Sequence, residues 1–115
     1  ANNEARLLQN AVFLELMRRS GKENIFYWKD AKQYEVDFVI VDKREVKELV
    51  QVCWNLENQE TKEREMRAIL RASKELNCKQ LTIITEEYEE IKEEEWFGIK
   101  GMIHYIPAWK WFMTK

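Results

Sequence analysis

YEVDFVIV, residues 34–41, is the stretch of sequence from which the fold can be deduced. Its β-branched and aromatic side chains are typical of a strand, along which successive side chains point to opposite faces of a sheet. Asp37 interrupts this pattern at a position where an apolar side chain is expected. A buried carboxylate is costly unless it is paired, hydrogen-bonded or bound to a metal. Asp37 therefore marks either a locally bonded group near a sheet edge or part of a functional site.

Two further strands flank this one and predict an antiparallel meander. Residues 25–28 (IFYW) and residues 48–54 (ELVQVCW) are rich in strand-forming side chains. The charged connectors at 29–32 and 42–45 are short enough for hairpins. The three strands are therefore expected to follow one another as two consecutive hairpins.

Helices are predicted before and after the meander. Residues 3–19 repeat apolar side chains at three- and four-residue steps, and residues 58–77 do the same with charged residues on the opposite face. A compact strand at 81–85 follows the second helix, and a strand–helix–strand unit favours a crossover into a parallel neighbour. The chain then ends with a strand at 98–106 and a short, apolar helix at 108–114.

These elements predict a mixed α/β (α+β) fold, with the order αβββαβ followed by a further strand and helix. The length of 115 residues suits one domain, residues 1–115. Seven Glu against one Lys give residues 86–95 a local charge of −6. The preferred interpretation of that stretch is a solvated acidic loop or frayed helix; a polyanion mimic or a metal trap is the alternative.

The cysteines and the hydropathy pattern indicate a cytoplasmic protein. Cys53 and Cys78 have no paired spacing, so they predict neither a disulfide framework nor, with His104, a zinc site. No apolar run approaches the length of a membrane span. The sequence begins at Ala1 and enters a helical pattern at once, which predicts a piece of a longer protein.

Polar residues interrupt the apolar pattern on three consecutive elements. Glu15 lies on the inner face of the first helix, Asp37 on the central strand, and Gln51 on the third strand, two residues before Cys53. A helical Glu, a strand Asp and a [Glu/Gln]-x-Lys on the next strand is the layout of the PD-(D/E)XK nucleases, which this sequence resembles. That resemblance implies a restriction-endonuclease-like core with a mixed central sheet, and a site with Asp37, Gln51 and Cys53 at the catalytic positions. Glu15 and Asp37 would bind Mg²⁺ or Mn²⁺ weakly, because Gln51 supplies no charge.

One branch of that superfamily is closer still. Residues 10–16 (NAVFLEL), 35–40 (EVDFVI) and 49–54 (LVQVCW) resemble the C-terminal domain of uncharacterised archaeal and bacterial AAA-type ATPases. The resemblance implies a P-loop ATPase domain in the same polypeptide, and this sequence contains no Gly-x-x-x-x-Gly-Lys-[Ser/Thr] motif of its own. Further candidate partners are DNA and a second copy of the chain; no membrane is expected.

Two functions follow as hypotheses. Cys53 stands where the nucleases carry lysine, and a thiol is neutral near pH 7 unless it is activated. This favours a non-catalytic accessory domain of the ATPase that recognises DNA or a protein partner. The alternative is a Mg²⁺- or Mn²⁺-dependent DNA endonuclease with an altered site, which a displaced lysine such as Lys62 would have to rescue. Basic residues at two strand turns are either solvated edges or a path for phosphates; they are Lys29, Lys32, Lys43 and Arg44.

Overall fold

The computed structural model describes residues 3–114 and contains one six-stranded sheet with helices on both faces. The mixed α/β class expected from the sequence is confirmed. The elements, with a 3₁₀ turn at Lys22–Asn24, are α1 (Asn3–Ser20), β1 (Ile25–Lys29), β2 (Glu35–Asp42), β3 (Glu45–Val52), α2 (Gln59–Leu76), β4 (Leu81–Thr85), β5 (Glu90–Trp96), β6 (Ile99–Pro107) and α3 (Ala108–Met113).

The strand order in the sheet is β1-β2-β3-β4-β6-β5. β1, β2 and β3 form the predicted antiparallel meander, and the crossover through α2 makes β4 parallel to β3, also as predicted. β6 runs parallel to β4, and β5 pairs antiparallel with β6 at the far edge. Strands β1 and β5 are therefore the two edges of the sheet.

Each face of the sheet has its own apolar core. Ile69 and Leu70 of α2 are fully buried against one face. Val12 of α1 and Trp111 of α3 are buried against the other face. α2 is the better delimited helix: the Asn58 side chain accepts the N–H of Thr61 at its start, and the left-handed Asn77 ends it. The two layers fix α1 and α2 on opposite sides of the central strands.

The prediction of a loop or frayed helix over residues 86–95 is wrong for the residues from 90 onwards. These form the edge strand β5, in which Lys92, Glu94 and Trp96 are half-buried while Glu93 and Glu95 are exposed. Antiparallel pairing with β6 hydrogen-bonds one side of the β5 backbone and overrides the low strand propensity of glutamate. Charged side chains on an edge strand also discourage pairing with other chains, which accounts for the composition.

The third strand begins earlier and ends earlier than predicted. It starts at Glu45 because Lys43 and Arg44, with φ of 53° and 69°, form a two-residue hairpin turn. It ends at Val52, so that Cys53 lies just beyond it. Within residues 3–114 no helix has the length and apolar character needed to cross a membrane.

Candidate functional site

The candidate site lies where β2 and β3 separate. The two strands are paired from the hairpin turn as far as Phe38 and Val50, whereas the preceding residues of β2 pair with β1 on the other side. The β1–β2 register shifts at the same place, where three steps along β2 oppose two along β1. Such bulges re-aim side chains next to functional sites. The gap between β2 and β3 is bridged by side chains in place of a backbone ladder.

Gln51 bridges this gap. Its side chain is fully buried, and its Oε1 accepts the backbone N–H of Asp37 at 2.8 Å. Its Nε2 donates to the carbonyl of Glu35 at 2.9 Å and makes a longer contact of 3.5 Å with the carbonyl of Glu65. Gln51 therefore replaces the missing ladder bonds, and its amide oxygen already accepts a hydrogen bond from the backbone.

Asp37 is half-buried beside this bridge. Its Oδ2 accepts the backbone N–H of Val52 at 2.8 Å, a second bond across the gap. Burial raises the pKa of Asp37 to about 6, because the charged form loses its hydration. The hydrogen bond from Val52 opposes that rise, the charge of Glu35 adds to it, and a side-chain hydrogen bond with Gln9 opposes it. Asp37 is thus an acid that titrates close to neutral pH.

Glu65 of α2 is a second half-buried carboxyl group in the same place. Burial raises its pKa to about 7, the negative charge of Asp37 adds to the rise, and Arg64 opposes it. Arg64 Nε lies 3.8 Å from Glu65 Oε1, with the guanidinium largely exposed. Sequence reasoning missed Glu65 as a site residue. The available signal was its position four residues before the buried Ile69, which places a carboxylate beside the apolar stripe of a helix.

One cavity joins these groups. Its lining residues are Gln9, Gln33, Glu35, Asp37, Arg64 and Glu65. Three of these residues carry carboxyl groups, and two of them, Asp37 and Glu65, have raised pKa values, which is a common feature of functional sites. The cavity is suited to hold protons or a cationic group, and its net negative charge disfavours a phosphate.

Glu15 lies elsewhere. It is not among the residues that line the cavity, to which α1 contributes Gln9 instead. Its Oε2 accepts from Arg18 Nη2 at 2.6 Å and from Arg19 Nε at 2.7 Å. These bonds, first that of Arg18 and then that of Arg19, lower the pKa of Glu15 to about 2. Its negative charge is therefore compensated by two guanidinium groups.

Arg19 explains what Glu15 does in the fold. The Nη2 of Arg19 donates to the carbonyls of Trp111 and Thr114 at 3.1 and 2.9 Å, and its guanidinium lies 4.4 Å from the Trp111 ring centre. These bonds reach carbonyl groups at the C-terminal end of α3, where the carbonyl of Trp111 also accepts the backbone N–H of Thr114 at 3.0 Å. Glu15 orients Arg19, and the pair fastens α3 to α1.

Cys53 occupies the position of the nuclease lysine but presents no charge. It is 3% exposed, and its backbone N–H donates to the carbonyl of Ile84 at 2.8 Å. Burial raises the pKa of its thiol to about 12, and the charge of Glu65 adds to the rise. Lys62, the residue considered as a substitute, lies 6.0 Å from the ring centre of Tyr88 and does not line the cavity.

The four basic turn residues do not form one patch. Lys29 is the last residue of β1, where it pairs with Glu35, and Lys32 lies in the turn between β1 and β2. Both therefore lie near the N-terminal end of β2, which carries Asp37. Lys43 and Arg44 lie at the opposite end of β2, roughly 20 Å away for a strand of this length. Their part in nucleic-acid binding stays a prediction.

The three side chains that the resemblance places around a divalent metal do not form one site. Across residues 3–114 no group of three or more His, Cys, Asp or Glu side chains is placed to hold a metal ion. Of the predicted set, Asp37 and Gln51 come together at the separation of β2 and β3. The Gln51 side chain hydrogen-bonds to backbone groups there, whereas Glu15 forms ion pairs with two arginines.

Comparison with known proteins defines the class to which the chain belongs. Residues 4–111 match the family described as "Domain of unknown function (DUF4143)", and the chain belongs to that family. This domain is often found at the C-terminus of AAA-type ATPases.

One relative is an uncharacterized protein of Methanocaldococcus jannaschii, MJ1544. It is 43% identical over 121 aligned residues, which cover 99% of this chain and 26% of that protein. The chain thus spans about a quarter of the length of this relative. No solved structure matches the chain significantly.

Proposed function

We propose that this chain is a non-catalytic accessory domain of an AAA-type ATPase and that it recognises a protein partner. The membership of the DUF4143 family supports the link to an ATPase. The relative from Methanocaldococcus jannaschii, about four times as long as the matched region, leaves ample length for an ATPase module. The first partner is then the P-loop ATPase domain of the same polypeptide.

The observation that carries the non-catalytic role is the use of Gln51 by the backbone. A nuclease acid at this position would have to face the cavity with a free oxygen, whereas Gln51 has its amide oxygen on the N–H of Asp37. The neutral thiol of Cys53 supplies no positive charge for a phosphate. Loss of one group that stabilises the transition state costs roughly a hundred- to a thousandfold in rate. Two such losses favour recognition over cleavage.

An exposed apolar surface on α1 and α3 supports recognition of a protein. We define the α1/α3 surface by five outward side chains, which are Leu7, Leu14, Trp109, Phe112 and Met113. Trp109 is 62% exposed and Met113 is 75% exposed, although α3 is held firmly through Arg19. Large exposed apolar patches on a rigid support are typical of protein interaction sites.

We also propose that the domain works in the cytoplasm. Cys53 and Cys78 are both buried and free. Buried free thiols are typical of proteins in a reducing compartment.

The experiment is a measurement of ATP hydrolysis by the full-length protein that contains this domain. Replacing Trp109 and Met113 by serine on the α1/α3 surface is expected to change the ATPase rate and to weaken docking. Met102→Ser, an exposed residue on β6 away from this surface, is the matched control. An unchanged rate in the double variant, with the fold intact by circular dichroism, would contradict the proposal.

A second candidate function is a metal-dependent DNA endonuclease. The raised pKa of both Asp37 and Glu65 favours it, because a divalent cation would relieve their repulsion. Calorimetric titration of the domain with Mn²⁺ separates the two functions. Binding that disappears in Asp37→Ala, together with cleavage of DNA, would replace the recognition role by this one; no heat up to about millimolar Mn²⁺ would exclude a strong metal site.

A further inference from the structure

The two edges of the sheet differ in composition. On the β5 edge, Glu90, Glu93 and Glu95 are exposed. On the β1 edge, Phe26 and Tyr27 are 54% and 57% exposed, on opposite faces of the strand. Natural proteins protect edge strands with charged side chains, because an unprotected edge pairs with other chains. The glutamates protect β5 in this way, whereas the first four residues of β1 carry no charge.

The outer side of β1 is also free to form hydrogen bonds. Its inner side pairs with β2, and Ile25 N–H donates to the carbonyl of Lys22. Among residues 3–114, no other element forms a backbone hydrogen bond to β1. A strand that is paired on one side only offers a template for a further strand.

We propose that the free edge of β1 pairs antiparallel with β1 of a second copy of this chain. Antiparallel neighbours keep paired side chains on the same face of the sheet. The register that uses all five residues therefore pairs Phe26 with Trp28 of the second copy and Tyr27 with its own equivalent. Aromatic pairs of this kind stabilise antiparallel strands. The two sheets then continue into one another about a two-fold axis.

Charge complementarity favours a second copy as the occupant. In this register Lys29 lies opposite Ile25 of the second copy, next to the 3₁₀ turn that carries its Glu23, and the two-fold axis repeats the arrangement. Neither Lys29 nor Glu23 makes an ion pair within the described part of the chain. A β5–β5 pairing would instead bring glutamates together from both copies, and like charges opposite one another are destabilising.

The size of the edge sets the expected strength. β1 has five residues, which bury less than the ~1,200 Å² of a standard protein interface. We therefore expect a reversible dimer with a dissociation constant in the micromolar range or weaker, formed without any change in the cavity at Asp37.

The test is analytical ultracentrifugation of the 115-residue chain from roughly 10 µM to 1 mM. The native chain is expected to move from monomer to dimer over this range. Tyr27→Lys places two ammonium groups opposite one another and is expected to weaken the dimer by more than about tenfold. Ile91→Lys, at a similarly exposed position on the β5 edge, is the matched control and should leave the dimer unchanged.

A charge exchange identifies the register. Glu23→Lys alone is expected to weaken the dimer, and Lys29→Glu in the same chain is expected to restore it. A monomer at every concentration would overturn the proposal. So would a dimer that Ile91→Lys weakens as much as Tyr27→Lys does, because the interface would then not be the β1 edge.

Discussion

Glu15 and Asp37 are carboxyl groups on neighbouring elements, and the fold gives them opposite electrostatic environments. Glu15 accepts hydrogen bonds from two guanidinium groups, which hold its pKa down to about 2. Asp37 lies in a cleft with other acids, and burial raises its pKa to about 6. The sequence assigns both to one metal site, but the structure uses Glu15 to fasten α3 and leaves Asp37 in the cavity.

The difference shows that the folded state can either stabilise or destabilise the charged form of a polar residue on an apolar face. Glu15 adds to stability, since its charged form accepts hydrogen bonds in the folded state. Asp37 lowers stability at neutral pH, because burial destabilises its charged form. Proteins retain such groups at functional sites. Asp37 is therefore the better marker of function, and Glu15 is a structural residue of the α1–α3 contact.

The largest effect is expected from removing the bridge that keeps Asp37 in its place. Gln51→Ala removes the partner of the Asp37 N–H and of the Glu35 carbonyl in a partly buried region, at about 1–3 kcal/mol for each group. We expect a loss of roughly 2–4 kcal/mol in the free energy of unfolding, measured in urea. The exposed Gln80→Ala is the control and should change stability by less than about 0.5 kcal/mol. A similar small loss for both variants would show that Gln51 does not bridge the strands.

A gain in stability is expected from Asp37→Asn. The amide keeps an oxygen for the N–H of Val52 and removes the half-buried charge. The pKa of Asp37 is raised from 3.8 to about 6, so the native acid is favoured below pH 3.8 and that advantage is lost as the pH rises through 6. Asp37→Asn should therefore be more stable than the native chain at pH 8, by on the order of 3 kcal/mol, and equal to it near pH 3.5. Urea unfolding at both pH values measures this. A loss of stability at pH 8 would show that the charged form of Asp37 is not destabilised in the folded chain.

Glu15→Gln should show the opposite dependence on pH. The pKa of Glu15 is lowered from 4.5 to about 2, so its contribution is present above pH 4.5 and is lost as the pH falls through 2. The variant should have a lower Tm than the native chain at pH 7, and the difference should shrink towards pH 2. Thermal unfolding followed by circular dichroism measures this, with the exposed Glu60→Gln as the control. The comparison with Asp37 fails if the Tm difference grows at low pH.

The smallest effect concerns the coupling of the two acids in the cavity. Asp37→Asn removes a negative charge beside Glu65 and is expected to bring the pKa of Glu65 below about 7. Arg64→Gln should move that pKa upwards, because Arg64 stabilises the charged form. Carbon-13 NMR titration of the Glu65 carboxyl group measures both changes. Identical titrations in the two variants would show that the acids do not interact.

Local patterns located most of the fold and part of the site. The apolar alternation of residues 34–41 predicted β2, and the amphipathic repeat predicted α2, since both follow from the periods of regular structure. β5 was missed because its strand is stabilised by β6 and not by its own glutamates. Asp37 was found as a polar residue in an apolar strand, whereas Glu65 lies at the margin of a helical stripe where charged residues are ordinary.

The sequence by itself determined the helices and all strands except β5, and that Asp37 is out of place among apolar neighbours. Only the tertiary structure decided that Gln51 bridges two separating strands and that Glu15 serves Arg19. The physical reason is that these roles depend on contacts between distant segments. The bond of Arg19 to the carbonyl of Trp111 spans 92 residues, and that of Gln51 to Asp37 spans 14. Periodicity reports which face of an element is buried, but the hydrogen-bond partners of a polar group are fixed only when the elements pack.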